Sequence, residues 1–593
     1  MIHGANLHAL LISQFNYCIF ARIIFNGMQQ KRFFKHIYPV AILLILLCFT
    51  NFLFADSYYF FVQFKDKNDT PYSLDNPAAY LSSRSIQRRS EQHIAIDSTD
   101  LPINPNYISQ VVNQGVFFHS ASKWMNGITV QTTDSSLMGL IRPLSFVQQV
   151  YYTGKILTTG QPAPALRTKR MDPEDTQEFE HDVEPVYELE YGYAAAQLNQ
   201  LNGKVLHDAG YTGKDILIGV LDAGFRNVNI NPAFDSLRIQ NRLSGAKSII
   251  DPSVNVYQED THGANVLSIM AGNLPGQFVG VAPHASYWLI QTEYVPSEYM
   301  FEVDFWVRGL EFADSLGVDV INSSLGYTQF DDTTMNFIYA DMNGQVSRAS
   351  RAAYLASRKG IIVCTSAGND GNTTWKHISS PADADGILTA GAVNTSGTIA
   401  AFSSFGPTAD SRIKPEVCAT GWGTTLVDLN GNLVFNGNGT SYSSPIIAGL
   451  TACYLQYCKE QLPQSYTVDL IRQHIINSAN RFSSPDNQYG YGIPDFQHVL
   501  YQTATNNRNE IKCEFPVKLK YLTGTGEIWI IRQATFENEE LCLQIITSTG
   551  KIIFRQLLGN SVETLNISHL PVGFYLAQIS CPGYSQVSKI LIP

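Results

Sequence analysis

At 593 residues the chain is too long for a single hydrophobic core, and domain sizes divide it into about three or four units. Its composition, 45% hydrophobic and 15% charged, is that of a globular protein. A formal net charge of −11 without a long basic run argues against nucleic acid as a partner and against attachment through a polybasic membrane patch.

Met28 opens a basic stretch that runs to Tyr38; residues 39–54 are then apolar apart from Thr50 and Asn51, and Ala55-Asp56 follows. This order of basic, apolar and small residues predicts a signal peptide, with Ala55 the last residue removed and translation starting at Met28. A retained membrane anchor is the competing reading, but the apolar run is short for a span and no charged stop follows it. Cys18 and Cys48 fall in the removed part, leaving Cys364, Cys418, Cys453, Cys458, Cys513, Cys542 and Cys581. That odd set has neither a paired framework nor a CxxC metal pattern, so no disulfide and no zinc are expected.

Tyr58–Phe64 is aromatic and β-branched and predicts a strand, with a polar turn at Asp66–Asp69. Further strands are expected at Gly115–Phe118 and around the alternating Ile128 and Val130, with helices at Pro77–Arg89 and Ser135–Arg142. Residues 56–153 thus read as a small α+β unit without chemistry of its own. From Gly154 to Tyr191 the chain turns polar, with Arg167–Arg170 and an acid-rich run from Asp172 to Glu184. Such a stretch buries too little apolar area to order itself and is expected to be an exposed, cleavable linker.

A β/α rhythm then begins. Asp215–Gly224 holds a continuous apolar run ending in Asp222, the pattern of a strand inside a parallel sheet, whose carboxyl end is where such folds place function. Asp260–Gly272 predicts a helix with Val266, Ile269 and Met270 as its buried stripe and His262 in its first turn. Strand Ser286–Gln291, helix Phe301–Gly317 and the strand leading to Ser324-Leu325-Gly326 follow; helix Arg348–Arg358 and a strand ending in Ser366-Ala367-Gly368-Asn369 repeat the pattern. Strand ends of small residues leave backbone edges open for an extended peptide.

Residues 437–449 read as a glycine turn delivering Ser441 to the start of an apolar helix, with Gly437 and Gly439 making the turn and Pro445 in the first helical turn. A serine there sits among unpaired backbone N–H groups at the positive end of the helix dipole, which suits attack on a carbonyl and stabilisation of the oxyanion. Each residue alone has a plain structural explanation: Ser441 or Asp222 as a cap, His262 as a packed ring, Asn369 as a turn.

Together, Val220–Gly224, His262–Gly272, Ser366–Asn369 and Gly439–Pro445 resemble the four signature segments of subtilisin-like serine proteases, in the family's order and over about residues 192–500 of a catalytic unit expected at 192–505. The resemblance implies an α/β fold with a parallel sheet flanked by helices. It implies Ser441 as nucleophile, His262 as general base then acid, Asp222 as the carboxylate that orients the imidazole, and Asn369 with the Ser441 N–H as oxyanion hole. Ser324, Leu325 and Gly326 would form one substrate edge and Ser366, Ala367 and Gly368 the other, with Ser379 near the floor of the main pocket. No charged residue is placed there, so an uncharged, large apolar side chain is the expected preference. Tyr442 and Ile446 replace the family's usual Met and His. The chemistry needs no cofactor; structural calcium is common in the family, but no ligand set maps onto this sequence.

The α+β unit, with Leu81–Arg89 and Ser122–Asn126, resembles the propeptides of exported bacterial subtilases, and by that resemblance would act as an intramolecular inhibitor. Tyr489–Asp495 closes the catalytic unit, and a helix Pro494–Thr503 leads to a polar break at Asn506–Glu510. Short strands at Leu541–Thr547, Lys551–Leu557 and Val572–Ile579 then make 511–593 a C-terminal β-sandwich. Its Ile567–Tyr575 segment and its end at Lys589–Pro593 resemble the sorting domain of type IX secretion cargo, which implies export through outer-membrane machinery. The function expected is a secreted serine endopeptidase acting on protein or peptide substrates. A non-catalytic binding module or surface adhesin on the same fold is disfavoured because all four catalytic positions are present.

Overall fold

The computed structural model describes residues 56–156, 191–463 and 465–500, and in the C-terminal part 517–522, 527–532, 541–547, 551–558, 564–567, 569–571, 573–581 and 584–592. The expected signal peptide, most of the linker and the break at 506–510 lie outside the described residues. Residues up to Leu500 and those from Tyr501 on are two compact units.

The first part of the chain contributes β1 (Ser57–Phe64), α1 (Ser83–Glu91), α2 (Pro105–Val112), β2 (Phe117–Ser122), β3 (Gly127–Thr132) and β4 (Val147–Ile156). The strands form an antiparallel sheet in the order β2-β3-β1-β4. The α+β reading holds, but its limits move. α2 was not foreseen: its polar surface positions hide the period, although Asn104 caps it by accepting from the Asn106 N–H at 2.9 Å. Strand β4 runs through Gly154, the expected start of the linker, because Ser57 pairs with Ile156. At the linker's other expected limit Tyr191 is buried, its hydroxyl 2.8 Å from His207 Nδ1.

The central unit is built from β5 (Leu217–Asp222), β6 (Leu243–Ser248), α3 (His262–Ala271), β7 (Ser286–Gln291), α4 (Met300–Leu316), β8 (Val320–Ser323), α5 (Arg348–Arg358), β9 (Ile362–Ser366), β10 (Leu388–Val393), β11 (Val417–Thr420), a hairpin of β12 (Trp422–Val427) and β13 (Leu433–Asn438), α6 (Thr440–Gln461) and α7 (Val468–Ser478). Seven strands form one sheet in the order β11-β10-β9-β8-β5-β7-β6, every neighbouring pair parallel. All six residues of β5 are buried, as a strand covered on both faces requires. β6, β10, β11, the hairpin and α7 were not anticipated.

Helix α6 is buried without a break from Thr440 to Cys458, so it is apolar all round rather than striped and runs through the core. Helix α3 behaves alike: Ala264, Leu267 and Ser268 are buried along with the expected Val266, Ile269 and Met270. Pro445 lies beyond the first turn of α6, and Gly437 is the penultimate residue of β13, where a side chain would strike Leu426; the turn itself is made at Gly439, with φ of 152°.

The N-terminal sheet rests on α4. Tyr59, Phe61, Trp124 and Met125 share one apolar cluster with Phe301, Phe305 and Leu310. Beside it, Asp314 of α4 accepts from Arg88 at 2.6 Å, Arg89 at 2.8 Å and Lys123 at 2.8 Å. Glu311, one turn away, accepts from Ser122 Oγ and from the Lys123 and Trp124 N–H groups.

In the C-terminal unit β14 (Val517–Leu522), β15 (Glu527–Arg532) and β18 (Thr564–Asn566) form one antiparallel sheet, and β16 (Leu541–Thr547), β17 (Ile552–Leu558), β19 (Gly573–Cys581) and β20 (Tyr584–Ile592) another. Leu543, Ile545, Leu558, Ile567, Tyr575 and Ala577 are buried there. Among the described residues five cysteines are free thiols: Cys364, Cys418, Cys453, Cys458 and Cys542.

Candidate active site

The carboxyl edge of the parallel sheet gathers the residues singled out from sequence. Asp222 ends β5 and is fully buried; His262 begins α3. Their side chains meet, His262 Nδ1–H donating to Asp222 Oδ1 at 2.7 Å, while the Ala223 N–H donates to the same oxygen at 2.8 Å. A proton held on Nδ1 leaves Nε2 as the basic nitrogen of the neutral ring. The approach depends on Gly263, since a methyl group there would collide with the Gly224 carbonyl and lie 2.8 Å from Asp222 Cβ. Asp260 secures the helix start by accepting from the His262 N–H at 2.7 Å.

Ser441 is the second residue of α6, and the ring of the next residue, Tyr442, lies 6.3 Å from the His262 ring. Ser441 Oγ donates to the Ser324 carbonyl at 3.3 Å, and in return the Ser324 hydroxyl donates to the Ser441 carbonyl at 2.8 Å. Asn322 Nδ2 donates to Ser324 Oγ at 3.2 Å, and Ser444 Oγ donates to Asn322 Oδ1 at 2.7 Å.

Asn369 stands just beyond β9. Its Oδ1 accepts from the Thr440 N–H at 2.8 Å, which only an oxygen can do, and its Nδ2 lies 3.6 Å from where a methyl group on Gly439 would sit. Thr440 Oγ1 also bonds Gly368, closing the strand end onto the helix start.

Of the residues expected to form two substrate edges, Ser324, Ser366 and Ala367 are buried, Gly326 is exposed and Gly368 half-buried. Leu325 packs with the α4 side of the core rather than lining an open groove. Ser379 bridges the edges: its N–H donates to the Ala367 carbonyl at 3.2 Å, and its neighbour Ser380 pairs with Tyr327. Ser379 Oγ lies where a methyl group on Gly326 would strike it and 3.3 Å from one placed on Gly368. Burial first, and then the Glu293 carboxylate it bonds, push the Tyr327 phenol well above its ordinary value, so it remains a neutral donor. Burial likewise pushes the Asp370 carboxyl up. Among the described residues no group of three or more His, Cys, Asp or Glu is placed to hold a metal ion.

Asn322, Ser444, Thr440 and Asp260 escaped the sequence reading. Two signals were present for the first pair: an amide directly after the apolar Val320-Ile321 of a strand, and a proline four residues after Ser441.

Residues 213–492 match the model of the subtilase family. The chain carries a subtilase domain. Residues 59–169 match the peptidase S8 propeptide domain of Bacteroidota, and residues 527–593 the secretion system C-terminal sorting domain, which marks the chain for export. The subtilase domain is similar to subtilisin NAT of Bacillus subtilis subsp. natto, 30% identical over 261 residues, which are 44% of this chain and 60% of that protein. It is also similar to subtilisin of Bacillus pumilus, 28% identical over 303 residues, 51% of this chain and 96% of that protein. A solved structure, MycP1 with the N-terminal propeptide removed, overlays with a TM-score of 0.40 at 23% identity, covering 51% of this chain and 96% of that one.

Proposed function

We propose that the chain is an exported serine endopeptidase whose propeptide domain holds it inactive until cleaved. What supports the reading is the 2.7 Å hydrogen bond from His262 Nδ1 to Asp222 at the sheet edge where Ser441 opens a buried helix, in a domain of the subtilase family. His262 Nε2 takes the Ser441 Oγ proton as the oxygen attacks the scissile carbonyl, and Asp222 stabilises the imidazolium without itself taking the proton. The oxyanion is met by the Ser441 N–H and the Asn369 amide. His262 then protonates the leaving amine, and water resolves the acyl-enzyme by the same steps. No cofactor takes part in this scheme.

The substrate is an extended peptide that adds its backbone to the edges at 324–326 and 366–368. The pocket between them ends on two glycines and the Ser379 hydroxyl, which suits an uncharged side chain. Cutting the linker is expected to release the propeptide domain from α4, and the sorting domain to engage outer-membrane secretion machinery.

A fluorophosphonate probe tests the reading directly. Covalent labelling of the processed protein, lost in Ser441→Ala and His262→Ala variants of unchanged circular dichroism, is the expected result; a processed wild-type protein that takes up no probe and cleaves no peptide would overturn it.

A further inference from the structure

The carbonyl of Ser441 has lost its usual partner. In an α-helix it would accept from the N–H four residues on, but that residue is Pro445, which has no N–H and whose ring crowds the carbonyl. A buried carbonyl without a partner is costly, and a helix whose second residue carried such a defect would be free to shift there. The Ser324 hydroxyl fills the vacancy at 2.8 Å. That hydroxyl is itself held by Asn322 Nδ2 at 3.2 Å, and Asn322 Oδ1 is held by Ser444 Oγ at 2.7 Å. Ser444 lies on the same helix, so the donors run in one direction around a closed ring, Ser444 to Asn322 to Ser324 to the Ser441 carbonyl. Asn322 and Ser444 are fully buried and Ser324 nearly so, which keeps water from substituting for any link.

Resting on the proteolytic reading above, we infer that Asn322 and Ser444, acting through the Ser324 hydroxyl, are positioning residues that fix the Ser441 backbone, and with it the oxyanion-binding N–H, against the end of β8. Pro445 creates the need for this strut by removing the helix's own tie. The strut joins the nucleophile to one substrate edge, so that attacking oxygen and bound peptide share a single rigid frame. Small displacements of a reacting group cost large factors in rate, whereas binding along the edge is governed by backbone groups that the strut leaves in place.

The test uses the full chain, exported and processed, with active sites counted by fluorophosphonate titration. Ser324→Ala should lower kcat about 10- to 100-fold, the scale of one orphaned buried acceptor, and slow labelling in parallel while KM changes by less than about twofold. Ser324→Thr, which keeps the hydroxyl, should retain most of the activity. The decisive variant is Ser324→Ala combined with Pro445→Ala: the restored N–H at 445 offers the Ser441 carbonyl its ordinary partner and should recover most of the lost kcat. An unchanged kcat in Ser324→Ala, a loss confined to KM, or no recovery in the double variant would each overturn the inference while leaving the protease reading intact. Absence of labelling in the wild-type chain would instead remove the protease reading itself.

Discussion

Asn369 is held by its oxygen, and on the proposed proteolytic reading its NH₂ group is the donor offered to a developing oxyanion. Asn369→Ala is therefore expected to lower kcat by about 10²- to 10³-fold, a scale taken from subtilisin itself, with little change in KM. Steady-state kinetics on a peptide ester or amide checks this, and a loss appearing mainly in KM would assign Asn369 to substrate binding. Ser379 is the second residue with a separable effect. Its hydroxyl closes the space between Gly326 and Gly368, so Ser379→Gly should raise kcat/KM for long apolar side chains relative to short ones. Profiling both proteins on a peptide library, with acidic and basic residues as controls, reads the shift. Both residues were legible in sequence as motif positions. What each one touches was not, because Thr440 and Gly326 reach them only through tertiary contact.

At the scale of elements, α4 decides how the propeptide domain docks. Asp314 alone accepts from three cations, Arg88 and Arg89 from α1 and Lys123 from the turn after β2, all within 2.8 Å and all largely shielded from water. Removing one partner of such a buried cluster leaves uncompensated charge and costs about 3–5 kcal/mol. In the full chain carrying Ser441→Ala to prevent self-digestion, Asp314→Ala should lower the thermal midpoint and hasten digestion of residues 57–156 by an added protease. A melting curve superimposable on that of the parent would show that the apolar contact of Tyr59, Phe61 and Trp124 with α4 suffices. The two motifs noticed in sequence, Leu81–Arg89 and Ser122–Asn126, supply these cations, but nothing in their spacing pointed to one carboxylate more than 180 residues away as their common target.

For the whole molecule the same cluster sets a pH dependence. Burial alone would push the Asp314 carboxyl up, yet Lys123, Arg89 and Arg88 outweigh it and hold the group well below the usual carboxylate range. A depressed folded value means that the stabilisation is present above the unpaired carboxylate's pKa of about 3.9 and is lost as pH falls below it. The thermal midpoint of the Ser441→Ala chain should therefore drop on acidification below about pH 4, and Asp314→Asn should flatten that drop. Equal acid sensitivity in both would locate the titrating groups elsewhere.

By itself the sequence determined the α/β architecture of the central unit and, through a family resemblance, the candidate reacting groups. Continuous apolar strands can be buried only in a parallel sheet covered on both faces, and the residues at their carboxyl ends then share one edge wherever they lie in the chain. Asp222, His262, Asn369 and Ser441 could be named before any contact was known because the segments around them resemble the signature segments of subtilisin-like proteases. Only the tertiary structure decided how far β4 extends, which carboxylate receives the propeptide's cations, and which hydroxyl replaces the amide missing at Pro445. Each of those depends on a partner distant in sequence, chosen by packing and by the cost of leaving a buried polar group unmatched, and local patterning carries no record of either.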